Sequence, residues 1–253
     1  MKMVLSDLDG TLLKKGETAL SLETFDMIHM LAQRGKLFAV ASGRTYHELH
    51  TLFAPVAEMM LFVCLDGALV VRGGETLFST PVPPEISVQL WRQSMEKEEG
   101  VLLLCGKERT YFWTAAPSMA REVRDKYGCH AVPFDNPAEI DEPVYKLMYR
   151  GAPLKADPKQ LSQVYCGSGW QEWVMPGVDK GAATVLLQQK YRIPATECMA
   201  FGDGDNDIAL LRQVGSRFAV GDASPHVRAM CDRRTERVEQ IVMAYLADNR
   251  RLK

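Results

Sequence analysis

The sequence predicts an α/β fold, a Rossmann-like parallel-sheet core with a smaller α+β domain inserted into it. Three observations carry this. Short continuous apolar runs at 37–41, 60–64, 199–201 and 218–220 read as strands buried on both faces. Segments of helical period alternate with them at both ends of the chain. Between the ends lies a stretch punctuated by prolines, with strand-like runs separated by hairpin-length gaps.

In order, Met3-Val4-Leu5 is a short apolar run that ends abruptly at Asp7. Ser21 can cap a helix whose apolar positions Leu22, Phe25, Ile28 and Leu31 recur at helical spacing, and Gly35 suits its C′ position. The strand at 37–41 leads through Ser42-Gly43-Arg44 into a short helix, then the strand at 60–64. This β-α-β-α-β order predicts a parallel sheet. Pro81, Pro83 and Pro84 read as a linker. Beyond it the pattern predicts a helix at 85–98, strands at 101–104 and 110–114, a helix at 117–127, a strand at 144–149, a turn at Gly167-Ser168-Gly169 and a strand at 173–175. The last third resumes the α/β rhythm with helices at 180–190, 208–214, 227–230 and 238–246 around the strands at 199–201 and 218–220. The expected division is a discontinuous core of 1–81 and 177–253 with 82–176 inserted.

Composition limits the functional classes. The chain has 253 residues, 47% hydrophobic and 25% charged, which is ordinary for a globular protein and excludes a disordered tail, a collagen or a small disulfide scaffold. Thirty basic against 32 acidic residues give a formal charge of −2, so no general basic surface for nucleic acid is implied. The cysteines at 64, 105, 129, 166, 198 and 231 form no C-x-x-C pair and read as buried free thiols. The N-terminal apolar run is too short for a signal segment, and no run approaches the roughly 18 residues of a membrane span. The expected location is the cytoplasm.

Two acidic clusters stand out. Asp7-Leu8-Asp9-Gly10-Thr11-Leu12 sets two carboxylates two residues apart after a buried strand, where ligands bind in an open parallel sheet. The same letters also suit a plain turn. Gly202-Asp203-Gly204-Asp205-Asn206-Asp207 packs three carboxylates into five residues after another strand. Such a cluster repels itself unless a cation neutralises it, and hard oxygen ligands suit Mg²⁺. An EF-hand is excluded, because Ile208 stands where the loop needs Gly and Val214 where it needs Glu. Ser42-Gly43 opens a helix after a strand, a weak anion-site signal. Lys180 begins a helix, where a cation opposes the macrodipole, and holding a phosphate would explain its place. Together these are the parts for phosphoryl transfer through an aspartyl-phosphate.

The chain resembles haloacid-dehalogenase-superfamily phosphatases, and is most similar to the Cof-type branch with a type II α/β cap between its second and third motifs. Asp7–Leu12 matches the first motif, Ala41-Ser42-Gly43-Arg44 the second, Val178-Asp179-Lys180-Gly181 the third and Gly202–Asp207 the fourth. Leu65-Asp66-Gly67-Ala68 and Val220-Gly221-Asp222-Ala223 resemble two further family segments, each with Asp in place of Asn. The resemblance implies a HAD-like core and hydrolysis of small phosphorylated metabolites, sugar phosphates among them. Asp7 would be the nucleophile and Asp9 the general acid and base. Mg²⁺ would be held by Asp7, the Asp9 carbonyl and Asp203. Leu8, Ser42, Gly43, Lys180 and Asn206 would grip the phosphoryl oxygens, with Thr11, Arg44 and Asp207 behind them. Asp9 argues against dehalogenation, which needs no acid there. A phosphosugar mutase on the same fold and a non-catalytic metabolite-binding protein are the alternatives. Expected partners are a small phosphorylated metabolite, with no nucleic acid and no membrane, the chain being a monomer or weak homo-oligomer.

Other residues carry weaker signals. His47 and His50 read as a solvated helix face. Trp91, Trp113, Trp170 and Trp173 read as core of the inserted domain, with stacking on a substrate as the alternative. Tyr111, Arg109 and Lys146 could face a substrate. The basic tail Asn249–Lys253 reads as a frayed end.

Overall fold

A computed structural model describes residues 1–97 and 99–248. The basic tail, and Glu98 at the expected end of one helix, lie outside the described residues. The chain divides into two compact units, one of residues 1–43, 48–78 and 179–253, the other of 44–47 and 79–178.

The first unit begins with β1 (Met3–Ser6), α1 (Leu22–Gln33), β2 (Leu37–Ala41), α2 (Tyr46–Leu52, entered from the second unit), β3 (Leu61–Cys64), β4 (Leu69–Arg72) and β5 (Glu75–Ser79). The second unit contains α3 (Pro84–Met95), β6 (Gly100–Cys105), β7 (Thr110–Thr114), α4 (Pro117–Tyr127), β8 (Ala131–Pro133), β9 (Lys146–Gly151), β10 (Ser162–Gly167) and β11 (Trp170–Val174). The chain then completes the first unit with α5 (Lys180–Tyr191), β12 (Cys198–Gly202), α6 (Ile208–Leu211), β13 (Ser216–Val220), α7 (Pro225–Met230), β14 (Arg233–Thr235) and α8 (Val238–Asp248).

The first unit's sheet has the order β14-β13-β12-β1-β2-β3-β4-β5. It is parallel from β14 to β3, as the β-α-β rhythm predicts, and turns antiparallel at β4. Met3, Leu5, Ala39, Ala41, Leu61 and Val63 pack on Ala183 and Leu187 of α5 and on Leu210 and Leu211 of α6. Val4, Phe38, Val40 and Phe62 alternate with them and are buried too, so these strands are covered on both faces. Each such Leu or Phe contributes roughly 1.5–3 kcal/mol.

The second unit's sheet has the order β10-β11-β9-β6-β7-β8 and is antiparallel except between β7 and β8. Leu102, Leu104, Leu147, Tyr149 and Trp173 meet Ile86 and Leu90 of α3 on one face. The expected turn at Gly167-Ser168-Gly169 joins β10 to β11. Ser168 and Gly169 have φ +53° and +81°, which suits a two-residue hairpin of matching twist.

The structure corrects several expectations and bears out or resolves others. In α1 the buried residues are Thr24, Met27, Ile28 and Leu31, and Leu22 is exposed. The face is rotated because the Thr24 hydroxyl donates to Glu239 Oε1 of α8 at 2.6 Å, which lets a polar residue go inward. The helix expected over 208–214 is regular only to Leu211, and a 3-10 turn at Asp205–Asp207 precedes it. The strands expected at 144–149 and 173–175 run instead at 146–151 and 170–174. Strands β4 and β5, joined across Gly73-Gly74, were not expected, nor was the half-exposed β10 at the sheet edge. Cys129 and Cys166 are exposed, not buried, although the six cysteines are free. His47 is buried, with Nδ1 3.2 Å from Thr45 Oγ1, and the His50 ring tilts against Phe62, so this pair is not a solvated face. Trp173 belongs to the core, Trp91 packs against it, and Trp170 lies beneath Arg150. Lys146 is buried and paired with Glu172 at 2.5 Å, Tyr111 donates to Asp141, and Arg109 is exposed beside it. No helix among the described residues is long and apolar enough to cross a membrane.

Candidate active site

Strand register brings the first and fourth motifs together. Ser6 of β1 lies level with Val40 of β2 and Phe201 of β12, so Asp7, Ser42 and Asp203 follow the carboxyl ends of three neighbouring parallel strands. The Asp7 amide continues the ladder by donating to the Phe201 carbonyl at 3.0 Å. The chain then folds sharply. The Leu8 carbonyl accepts from Thr11 and Leu13, and Gly10 donates to the Leu13 carbonyl.

That fold needs glycine at position 10. Its φ is +93°, and an added Cβ would collide with the Asp203 carboxylate. Gly10→Ala is therefore expected to lower stability by about 1–3 kcal/mol in a urea melt and to displace Asp203. Thr11 donates its hydroxyl to Asp203 Oδ1 at 2.8 Å, fixing that carboxylate from the other side.

Lys180 explains its own position at the start of α5. Asp179 caps the helix by accepting from the Ala182 amide, and Lys180 turns inward, 1% exposed. Its ammonium donates to Asp7 Oδ1 at 2.6 Å and to Asp207 Oδ1 at 2.7 Å. Two carboxylates outweigh the unfavourable helix end. Asp207 Oδ2 accepts the amides of Asp203 and Gly204, each at 3.0 Å. One buried carboxylate thus fixes both the lysine and the loop that carries Asp203.

The electrostatics follow from this crowding. Oxygens of Asp7, Asp203 and Asp207 lie within 4.8 Å of one another. Three carboxylates against one ammonium leave a formal charge of −2. Burial pushes the Asp7 carboxyl up from its ordinary value to about 8; Lys180 opposes the rise, while Asp207 and Asp203 add to it. Asp203 is also raised, first by burial, against its hydrogen bond from Thr11. Burial pulls Lys180 down, but Asp7 and Asp207 reverse this and hold the ammonium above its ordinary value. A hard divalent cation fits the donor set and would relieve the repulsion. Asp207 spends its oxygens on Lys180 and two amides, which leaves Asp7 and Asp203 as the carboxylates better placed to hold it.

The remaining expected residues fall in different places. Ser42 is buried, its amide donating to Val63 and its carbonyl accepting from Asp66. Leu8 is buried, whereas Asp9 is exposed at the rim of a cleft of about 690 Å³ that Gly10, Lys14, Asp203 and Asp222 also line. Gly43 ends the first segment of this unit, and Arg44 groups with the second unit. Asn206 is exposed on the 3-10 turn, its Oδ1 lying over Gly204. Sequence reasoning missed Ser224 and His226, which engage Asp205 of the acidic loop. The available signal was Ser224-Pro225, an N-cap followed by Pro at the first helical position.

Comparison with known proteins finds similarity over nearly the whole chain. A family model for haloacid dehalogenase-like hydrolases matches residues 4–245. A 5-amino-6-(5-phospho-D-ribitylamino)uracil phosphatase of Escherichia coli K12 is 26% identical over 90% of this chain and 88% of its own length. An HMP-PP phosphatase of Cronobacter sakazakii is 27% identical over 88% of this chain and 85% of its own. Among solved structures, a haloalkanoate-superfamily phosphatase from Bacteroides thetaiotaomicron superposes with a TM-score of 0.76 at 22% identity, covering 96% of this chain and 93% of that one.

Proposed function

The chain belongs to the haloacid dehalogenase-like hydrolases, and from that premise we propose that it is a Mg²⁺-dependent phosphatase of small phosphorylated metabolites that works through an aspartyl-phosphate on Asp7. The observation that carries the reading is the buried Lys180 bridging Asp7 and Asp207 beside Asp203, at the carboxyl ends of β1 and β12.

The chemistry follows from what each side chain can do. Lys180 holds Asp7 through Oδ1, so the other carboxylate oxygen is the one to attack phosphorus. As the Asp7 oxygen–phosphorus bond forms, the ester phosphorus–oxygen bond breaks and the leaving oxygen takes the proton of the Asp9 carboxyl. Asp9, now a carboxylate, removes a proton from water. The water oxygen bonds to phosphorus, the Asp7–phosphorus bond breaks, and phosphate leaves. Ser42, the Gly43 and Leu8 backbones, Lys180 and Asn206 are assigned to the phosphoryl oxygens. Mg²⁺, held by Asp7, the Asp9 carbonyl and Asp203, would let an anionic nucleophile approach an anionic ester. Thr11 fixes the Asp203 carboxylate that would hold it, so Thr11→Val is expected to weaken Mg²⁺ affinity about tenfold by calorimetry while the protein stays folded.

The substrate class rests on the relatives, whose names point to 5-amino-6-(5-phospho-D-ribitylamino)uracil and to HMP-PP. The test is phosphate release from these two compounds and a panel of sugar phosphates, with Mg²⁺ and with chelator, and with Asp7→Asn alongside. Metal-dependent release that vanishes in the variant is the expected result. No release from any ester, or release that survives Asp7→Asn, would overturn the mechanism.

A further inference from the structure

The acidic loop that carries Asp203 has a fastening that the reaction does not use. Inside the fold, Asp207 ties down the amides of Asp203 and Gly204. On the outside, the Ser224 amide donates to the Asp203 carbonyl at 2.8 Å. Asp205, two residues on, is exposed and takes two further bonds. Its Oδ1 accepts the Ser224 hydroxyl, and its Oδ2 meets His226 Nδ1 at 3.0 Å. Ser224 also caps α7 by accepting from the Val227 amide. Both oxygens of an exposed carboxylate are therefore held by one neighbouring turn, and that turn also holds the backbone of Asp203.

We infer that Ser224 and His226 are positioning residues, which act through Asp205 to hold the acidic loop in the shape that presents Asp203 to a divalent cation. This rests on the cation reading given above. The physical case is one of local order. An exposed ion pair alone adds little to global stability, because water and salt screen it. A loop can still open locally at low cost unless its exposed side is tied. Four successive backbone units, from Asp203 to Asn206, hang between the Asp207 anchor inside and this clasp outside. Releasing the clasp would leave Asp203 held by Thr11, by Asp207 through one amide, and by the Ser224 amide. Partners of this kind, which orient a metal-binding group without touching the metal, change affinity by about 10–100-fold when removed.

The clasp needs a donor at the position of His226 Nδ1, not a ring. Asparagine can supply an amide N–H near that point, whereas leucine cannot. Two measurements separate the inference from the reading beneath it. Titration calorimetry with MgCl₂ should show His226→Leu binding Mg²⁺ about tenfold more weakly than the parent protein, with His226→Asn restoring most of the difference. In activity assays the His226→Leu defect should appear as a raised Mg²⁺ requirement, largely recovered at saturating metal, and not as a fall in kcat. Amide hydrogen exchange without metal should show faster exchange at Asp203 and Gly204 in His226→Leu and near-parent rates in His226→Asn. Parent-like Mg²⁺ affinity and parent-like exchange in His226→Leu would overturn the clasp. If the parent protein binds no Mg²⁺ but the exchange pattern appears, the clasp stands as a loop fastener and the cation reading falls.

Discussion

Lys180→Met is expected to abolish phosphate release, by a factor of at least about 10³, and to destabilise the protein by about 3–5 kcal/mol at pH 8. Methionine matches the lysine stem in length and apolar packing, so the change isolates the charge. Without the ammonium, Asp7 and Asp207 face each other across a buried space with no counter-charge. Removing one member of a buried ionic group costs far more than a surface pair, because the remaining charges lose their partner but stay out of water. The pH dependence has a definite sign. Like-charge repulsion raises the carboxyl values in the folded variant above those in the unfolded chain, so stability is lost as pH rises through that window. The deficit should therefore be smallest near pH 5 and grow toward pH 8. Urea melts of both proteins at the two pH values check this. An equal deficit at both would mean that packing, not charge, is what the lysine contributes.

Asp7→Asn should do the reverse for stability while also ending turnover. Burial already pushes the Asp7 carboxyl up to about 8. A carboxyl raised in the fold favours folding less and less as pH climbs from its unfolded value near 4 to its folded value near 8. Asparagine does not titrate. In chelator, Asp7→Asn is expected to match the parent protein near pH 4 and to exceed it by several kcal/mol at pH 8, since a carboxyl that keeps its proton in the fold up to about pH 8 costs the parent about 1.4 kcal/mol per pH unit, a cost that already includes the Lys180 contact. Loss of activity with a gain in stability is the pattern of a residue held strained for its chemistry. Thermal melts from pH 4 to 8 measure the difference. A variant less stable than the parent at pH 8 would show that the Lys180 contact outweighs the desolvation of Asp7.

Much of this site was legible in the linear sequence, for one physical reason. Residues that act at the carboxyl end of a buried parallel strand must follow a continuous apolar run, because the strand is covered on both faces. Asp7, Ser42 and Asp203 each follow such a run, and Lys180 announced itself by standing at the wrong end of a helix dipole. The parallel order of the first unit followed from the alternation of runs and helical periods. The Gly73-Gly74 hairpin also has a local signal, two glycines between strand-like runs.

Other features had no local signal to read. Thr24 breaks the apolar face of α1 because Glu239 lies 215 residues away in the chain and beside it in the fold. Asp207 reads as one more acid in a cluster, yet it is the buried anchor of both Lys180 and the Asp203 loop. Ser224 and His226 look like an ordinary helix start.

By itself, then, the sequence determined the fold class, the strand ends where chemistry could gather, and the residue types available there, since these depend on apolar periodicity and on neighbours a few positions apart. Only the tertiary structure decided which of those residues meet. Lys180 reaches Asp7 across 173 positions and Thr11 reaches Asp203 across 192. A buried polar group takes the partner that folding brings within about 3 Å, and sheet register, not sequence distance, sets that choice.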